Sequence, residues 1–106
     1  MKATIWHNPR CSKSREALAI LRDAGAEVAI VEYLKAPPSR DEIARVLGRG
    51  GIAPRDALRA DAPAVGDDAA ALDLMAREPA TIERPLVETD KGVVIGRPPE
   101  RVRALL

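Results

Sequence analysis

The sequence predicts an α/β fold, with a mixed four-stranded sheet flanked by helices. Two short β-branched runs near the start of the chain are separated by a helical segment, which favours a parallel pair of strands. Two further apolar runs near the end are separated by a short turn, which favours an antiparallel pair. The 106 residues fit one domain, residues 1–106, and a helical insertion occupies roughly residues 38–80 between the two pairs.

In the first third of the chain, the sequence pattern predicts a strand, a loop, a helix and a second strand. Ala3–Trp6 is a short apolar run, and His7–Arg10 has the composition of a turn. A helix begins near Cys11, and Gly25 stands where a left-handed C-terminal cap is needed. Val28–Val31 is then a second strand, which we expect to lie parallel to the first.

The middle of the chain is predicted to be helical. Ser39 is a typical N-cap with Glu42 three residues later, and a glycine-rich stretch ends the helix that follows. Pro54 opens a short helical turn, and Ala69–Glu78 is helical by its Ala, Leu and Met content. Pro79 stops that helix. These helices make up the predicted insertion.

The end of the chain predicts an antiparallel hairpin and a last helix. Leu86–Glu88 and Val93–Ile95 are rich in β-branched residues and are joined by a Gly-containing turn. Pro98, Pro99 and Glu100 are typical of a helix start. Taken together, the order βαβ, helices, ββα is the layout of a thioredoxin-like fold with a helical insertion.

Composition excludes several classes of function. Lys and Arg number 17 and Asp and Glu number 16, so the net charge of +1 supplies no field for nucleic acid or an anionic membrane. No apolar run approaches the roughly 18 to 20 residues that span a bilayer, and we expect a cytoplasmic protein. A single cysteine excludes an internal disulfide and a Cys-based zinc cluster, and we expect no metal site and no bound cofactor.

Cys11 is the candidate nucleophile. It follows a strand, a tight turn and Pro9, and it lies in the first turn of the predicted helix, where free backbone N–H groups and nearby cations stabilise a thiolate. Ser14 stands where a dithiol oxidoreductase carries its second cysteine, which leaves a monothiol cycle. The alternative is a buried structural thiol.

His7 and Ser14 are further candidate catalytic residues. His7 could accept the thiol proton or, alternatively, hydrogen-bond the turn. Ser14 is about one helical turn from Cys11, close enough to hydrogen-bond a thiolate or an oxyanion, although a polar residue in a first turn is also ordinary.

Four segments spread along the chain carry a family resemblance: His7–Arg15, Leu58–Arg59, Glu83–Val87 and Ile95–Glu100. They resemble the glutaredoxin-linked arsenate reductase (ArsC) family, and the resemblance covers nearly the whole chain. The resemblance implies that Cys11 is the nucleophile and that three arginines, Arg59, Arg84 and Arg97, bind the substrate oxyanion. Guanidinium groups suit this task because they meet a tetrahedral oxyanion bidentately. The family resemblance also implies a structural cis-proline at Pro85.

The activity that the resemblance implies is reduction of arsenate to arsenite. Because the chain has no second cysteine, the external thiols are expected to be glutathione, as co-substrate, and glutaredoxin. One alternative is a glutathione-dependent thiol oxidoreductase of another substrate, whose arginines bind glutathione carboxylates. The other is a regulator of the Spx type that binds RNA polymerase, although the three arginines and the missing second cysteine favour the enzyme.

Overall fold

The computed structural model describes all residues, 1–106, and contains the predicted mixed sheet of four strands. The strands are β1 (Lys2–Trp6), β2 (Glu27–Val31), β3 (Leu86–Thr89) and β4 (Gly92–Ile95). Their order in the sheet is β2-β1-β3-β4. β1 and β2 are parallel, whereas β3 is antiparallel to both β1 and β4. The predicted fold class, an α/β thioredoxin-like arrangement, is therefore confirmed.

Three α-helices and three 3₁₀ helices accompany the sheet. They are α1 (Ser12–Asp23), α2 (Arg40–Arg49), α3 (Asp68–Arg77) and the 3₁₀ helices Pro54–Ala57, Pro79–Thr81 and Pro99–Leu105. None of them is long and apolar enough to cross a membrane. Between β2 and β3 the chain is helical, as predicted for the insertion.

Local sequence signals account for the ends of the first two α-helices. Gly25 follows α1 with φ of +80°, a left-handed conformation that glycine adopts without steric cost, and its N–H donates to the carbonyl of Arg22. Ser39 precedes α2, and its hydroxyl accepts the Glu42 N–H at 3.1 Å. This is the predicted N-cap contact, which satisfies one of the free donors of the first turn.

The last helix differs in type from an ordinary α-helix. Residues Pro99–Leu105 are wound as a 3₁₀ helix, with hydrogen bonds such as that from the Arg101 N–H to the Pro98 carbonyl. The buried side chains of this helix are Pro99, Val102 and Leu105, spaced by three residues. A 3₁₀ helix has three residues per turn, so this winding places all three on one face.

The sheet separates two apolar cores. Successive side chains of a strand point to opposite faces, so Ile5 and Val87 lie in one core, and Trp6 and Leu86 lie in the other. Helix α1 and the last 3₁₀ helix cover the first face, and α2 and α3 cover the second. Both faces of the sheet are therefore covered by helices.

Candidate active site

The loop between β1 and α1 is held by its own backbone and side chains. The Cys11 N–H donates to the Asn8 carbonyl at 3.0 Å, and the Asn8 side-chain oxygen accepts the Arg10 N–H at 3.0 Å. Arg15 reaches back from α1 and donates to the Pro9 carbonyl at 2.9 Å. These bonds place Cys11 at the N-cap of α1 with an extended backbone.

The Cys11 sulfur lies beside a cation. The side chain is buried, and Sγ is 3.9 Å from Nη2 of Arg97. The sulfur therefore lies both beside a guanidinium and at the N terminus of α1. A thiol in these surroundings is suited to act as a nucleophile.

His7 and Ser14 contact each other. Nδ1 of His7 is 2.6 Å from Oγ of Ser14, and that Oγ also accepts the Asn8 N–H at 3.1 Å. Burial lowers the pKa of His7, which favours the neutral ring in this contact. Both side chains are thus engaged in holding the loop that carries Cys11.

Arg84 and Arg97 are brought together by two loops that each contain a cis peptide bond. The Arg84–Pro85 bond is cis, and so is Arg97–Pro98, which we did not predict. Nε of Arg97 donates to the Arg84 carbonyl at 2.8 Å. A Cβ on Gly96 would lie 2.9 Å from Cγ of Pro85, so this close approach of the two loops requires glycine.

A single β-bridge places Arg59 in the same region. Leu58 pairs with Ile82, and the flanking Arg59 N–H donates to the Thr81 carbonyl at 2.9 Å. Arg59 then lines a cavity of about 300 Å³ that is also lined by Glu83 and Arg97. The bridge therefore connects an arginine of the helical insertion to the segment that precedes Pro85.

Each of two arginines has a carboxylate partner that the sequence analysis did not identify. Oε1 of Glu83 is 3.1 Å from Nε of Arg97, and Oδ1 of Asp61 is 3.1 Å from Nε of Arg59. Asp61 lies two residues from Arg59, a spacing that a search for local ion pairs would find. Glu83 precedes Arg84 in sequence but pairs with Arg97, and no local pattern indicates that contact.

Several buried donors in this region lack an acceptor. Three buried side-chain nitrogen or oxygen atoms of the protein have no hydrogen-bond partner: Nη1 of Arg59, Nε of Arg84 and the hydroxyl of Tyr33. Buried polar groups are nearly always paired in folded proteins. No group of three or more His, Cys, Asp or Glu side chains is arranged to hold a metal ion. The unpaired guanidinium donors are instead suited to an anion.

Tyr33 is a further residue of this region that the sequence analysis did not select as a site residue. Burial raises the pKa of Tyr33 to about 12, and the charges that act on it belong to Cys11, Arg59, Glu83 and Arg97. Its hydroxyl is therefore a neutral donor near neutral pH. The sequence offers no signal for this role, since a tyrosine after a strand is an ordinary core residue.

Comparison with known proteins gives a consistent result. The family model described as ArsC family matches residues 6–105. The arsenate reductase of Rhizobium meliloti (strain 1021) is 40% identical, over 100% of this chain and 82% of that protein. The arsenate reductase of Neisseria meningitidis serogroup A is 37% identical, over 96% of each chain.

A solved structure agrees with these relatives. The arsenate reductase from Vibrio cholerae superposes with a TM-score of 0.92 and 35% identity, over 100% of this chain and 98% of that one. The match therefore extends from the strands through the helical insertion to the last helix. On the family model, the relatives and the shared fold, this chain belongs to the ArsC family.

Proposed function

We propose that this protein is an arsenate reductase that uses Cys11 as its nucleophile and Arg59, Arg84 and Arg97 to bind the oxyanion. The observation that carries the proposal is the Cys11 sulfur 3.9 Å from Arg97, in a region where Arg59 and Arg84 have buried N–H groups without acceptors. An oxyanion provides those acceptors next to the thiol. The names of the relatives supply the identity of the oxyanion.

In the first step, the Cys11 thiolate attacks arsenic. A sulfur–arsenic bond forms, one arsenic–oxygen bond breaks, and the departing oxygen takes up protons and leaves as water. The adduct still contains As(V), because no electrons have moved between the elements. The three guanidinium groups hold the remaining oxygens and the charge that develops on them.

In the second step, glutathione supplies the reducing thiol. Its sulfur attacks the sulfur of Cys11, a disulfide bond forms, and the electron pair of the sulfur–arsenic bond passes to arsenic. As(V) becomes As(III) and leaves as arsenite. Two thiols have then lost two electrons, and Cys11 is left as a mixed disulfide with glutathione. A glutaredoxin thiolate attacks the glutathione sulfur and frees Cys11.

An external thiol is required because Cys11 is the single cysteine of the chain. Glutathione and glutaredoxin operate in the reducing cytoplasm, which is the compartment that the proposal assigns to the protein. His7 and Ser14 act as positioning residues in this scheme. Their 2.6 Å contact supports that role, because it braces the loop on which Cys11 is carried.

A coupled assay tests the proposal. Purified protein is mixed with arsenate, glutathione, glutaredoxin, glutathione reductase and NADPH, and NADPH oxidation is followed. We expect oxidation that requires arsenate, glutathione and glutaredoxin together. Oxidation that proceeds equally without arsenate, on a mixed disulfide of glutathione, would instead assign the protein as a thiol oxidoreductase of another substrate.

A further inference from the structure

Tyr33 carries a buried hydroxyl that no group of the protein satisfies. The residue is 1% exposed, and its hydroxyl has no hydrogen-bond partner. An unpaired hydroxyl in a core costs free energy, because it has lost its bonds to water without replacing them. Phenylalanine would fill the same space without that cost. The hydroxyl is therefore better explained by a hydrogen-bond partner that the protein itself does not supply.

The position of Tyr33 in the fold places it next to the candidate active site. It follows the carboxyl end of β2, and the parallel neighbour β1 ends in the loop that carries Cys11. The two strands stay joined there, since the His7 N–H donates to the Val31 carbonyl at 2.8 Å. Tyr33 also belongs to the core cluster that contains Ile82 and Leu86. Those two residues flank the segment of Glu83, Arg84 and Pro85.

The electrostatic environment of the hydroxyl is that of the site. Burial is the largest cause that raises the pKa of Tyr33 to about 12. Negative charge on Cys11 and Glu83 adds to this rise, and the guanidinium groups of Arg59 and Arg97 oppose it. The hydroxyl therefore keeps its proton at neutral pH and remains a donor.

The other buried atoms without partners are also donors, and they are Nη1 of Arg59 and Nε of Arg84. The three unsatisfied donors belong to separate segments, and the charges of both Cys11 and Arg59 act on Tyr33. A tetrahedral oxyanion carries acceptor lone pairs on every oxygen and is the kind of ligand that can satisfy donors from several segments. No acceptor within the protein does so.

We propose that the Tyr33 hydroxyl donates a hydrogen bond to the oxyanion bound beside Cys11, as a neutral fourth member of the binding set formed by the three arginines. The inference rests on the oxyanion site of the proposed function and adds a substrate contact to it. Its physical basis is that an unpaired buried donor gains a partner only when the ligand is present.

The test compares two buried hydroxyls, one with and one without partners in the protein. Thr89 provides the matched control: its hydroxyl donates to the Leu105 carbonyl at 3.2 Å and accepts the Lys91 N–H at 3.1 Å. In the sheet it pairs with Ala3, at the end of β1 remote from the Cys11 loop. Thermal unfolding of wild type, Tyr33→Phe and Thr89→Val is measured across a titration of inorganic phosphate at constant ionic strength.

We expect Tyr33→Phe to unfold at the wild-type temperature or above it without phosphate, because it gives up no hydrogen bond. Its phosphate Kd should rise about tenfold or more, as expected for a bond to a charged ligand. Thr89→Val should behave in the opposite way, with a lower melting temperature and a phosphate Kd within about twofold of wild type. The kcat/KM for arsenate should fall in Tyr33→Phe by a factor similar to the loss of phosphate affinity.

Two results would overturn the inference. If wild type binds phosphate and Tyr33→Phe binds it equally well, the hydroxyl does not contact the anion, although the oxyanion site stands. If wild type shows no phosphate-dependent stabilisation, the oxyanion site itself is wrong, and the role of Tyr33 is rejected with it.

Discussion

Two groups of arginines in this protein differ in how completely their donors are used. The ion-pair cluster joins α2 to β3 and consists of Glu42, Arg45, Arg49 and Glu88. There, Arg45 makes two bonds to each carboxylate, at 2.7 to 3.0 Å, and Arg49 donates to Glu88 and to two backbone carbonyls. The proposed oxyanion site, formed by Arg59, Arg84 and Arg97, instead keeps buried donors of Arg59 and Arg84 without acceptors.

The difference separates a stabilising role from a binding role. In the ion-pair cluster, hydrogen bonds from Arg45 lower the pKa values of Glu42 and Glu88, so the folded state favours the charged pairs. In the oxyanion site, Glu83 and Asp61 each neutralise one arginine, and the three arginines retain an excess of positive charge. We infer that the first group contributes to folding and that the second is completed by a ligand.

The largest expected effect follows from removing the nucleophile. Cys11→Ser should abolish arsenate reduction, because a serine hydroxyl is a far weaker nucleophile at neutral pH and cannot enter a disulfide cycle. The coupled assay measures turnover, and circular dichroism checks that the fold is retained. Arsenate reduction above background in a folded Cys11→Ser protein would contradict the mechanism.

The next effect tests whether geometry or charge matters in the oxyanion site. Arg97→Lys keeps the positive charge but loses the planar fork that reaches Cys11 and the Arg84 carbonyl. We expect kcat/KM for arsenate to fall roughly 30-fold, which corresponds to a loss of about 2 kcal/mol of transition-state stabilisation. Arg45→Lys is the matched control in the ion-pair cluster and should leave kcat/KM unchanged. Equal kinetics for wild type and Arg97→Lys would show that the planar guanidinium of Arg97 does not bind the oxyanion.

A smaller effect, on stability alone, is expected when the charge of Glu88 is removed. Arsenate binding should be unaffected by that substitution. The folded pKa of Glu88 lies below the ordinary value of 4.5, chiefly through the bond from Arg45. The charged pair therefore stabilises the fold above pH 4.5, and this contribution is lost as the pH falls toward the folded pKa. Glu88→Gln should melt at a lower temperature than wild type at pH 7, and the difference should narrow below pH 4.5. A difference that is constant across this range would show that the pair is not the cause.

The smallest effect concerns His7. Burial lowers its folded pKa below 6.5, so the unfolded chain takes up a proton first as the pH falls. Stability is then unaffected by this group above pH 6.5 and declines as the pH falls below that value toward the folded pKa. Because His7 is the single histidine, His7→Gln should remove this slope from a series of melting temperatures between about pH 7 and 5. An unchanged slope in His7→Gln would reject the assignment.

Much of the fold could be predicted because its signals are local. The apolar runs of β1 to β4, the N-cap at Ser39 and the glycine after α1 each act within a few residues. The sequence also contains a signal for the 3₁₀ winding of the last helix, because the apolar residues Pro99, Val102 and Leu105 recur every three residues. The short 3₁₀ helix after Pro79 was missed, because proline signals the end of one helix more strongly than the start of another.

Less of the candidate site could be predicted, because its contacts join distant segments. The Leu58–Ile82 bridge and the Glu83–Arg97 pair connect residues 24 and 14 positions apart, and periodicity carries no information on such pairs. The three arginines were selected through the family resemblance, and their role in binding arsenate stays a prediction. Tyr33 was outside that reasoning, because a missing hydrogen-bond partner becomes visible only when the whole core is known.

Alkylation of Cys11 by iodoacetamide tests the central claim most directly, because each modified chain reports on the single thiol. The rate is measured with increasing arsenate at constant ionic strength, without glutathione, for wild type, Arg84→Ala and Arg45→Ala. We predict saturable protection by arsenate in wild type and in Arg45→Ala, and loss of protection in Arg84→Ala, since a bound oxyanion blocks access to the sulfur. No protection in wild type, or equal protection in Arg84→Ala, would contradict an oxyanion site at Cys11 built from arginines with unused donors.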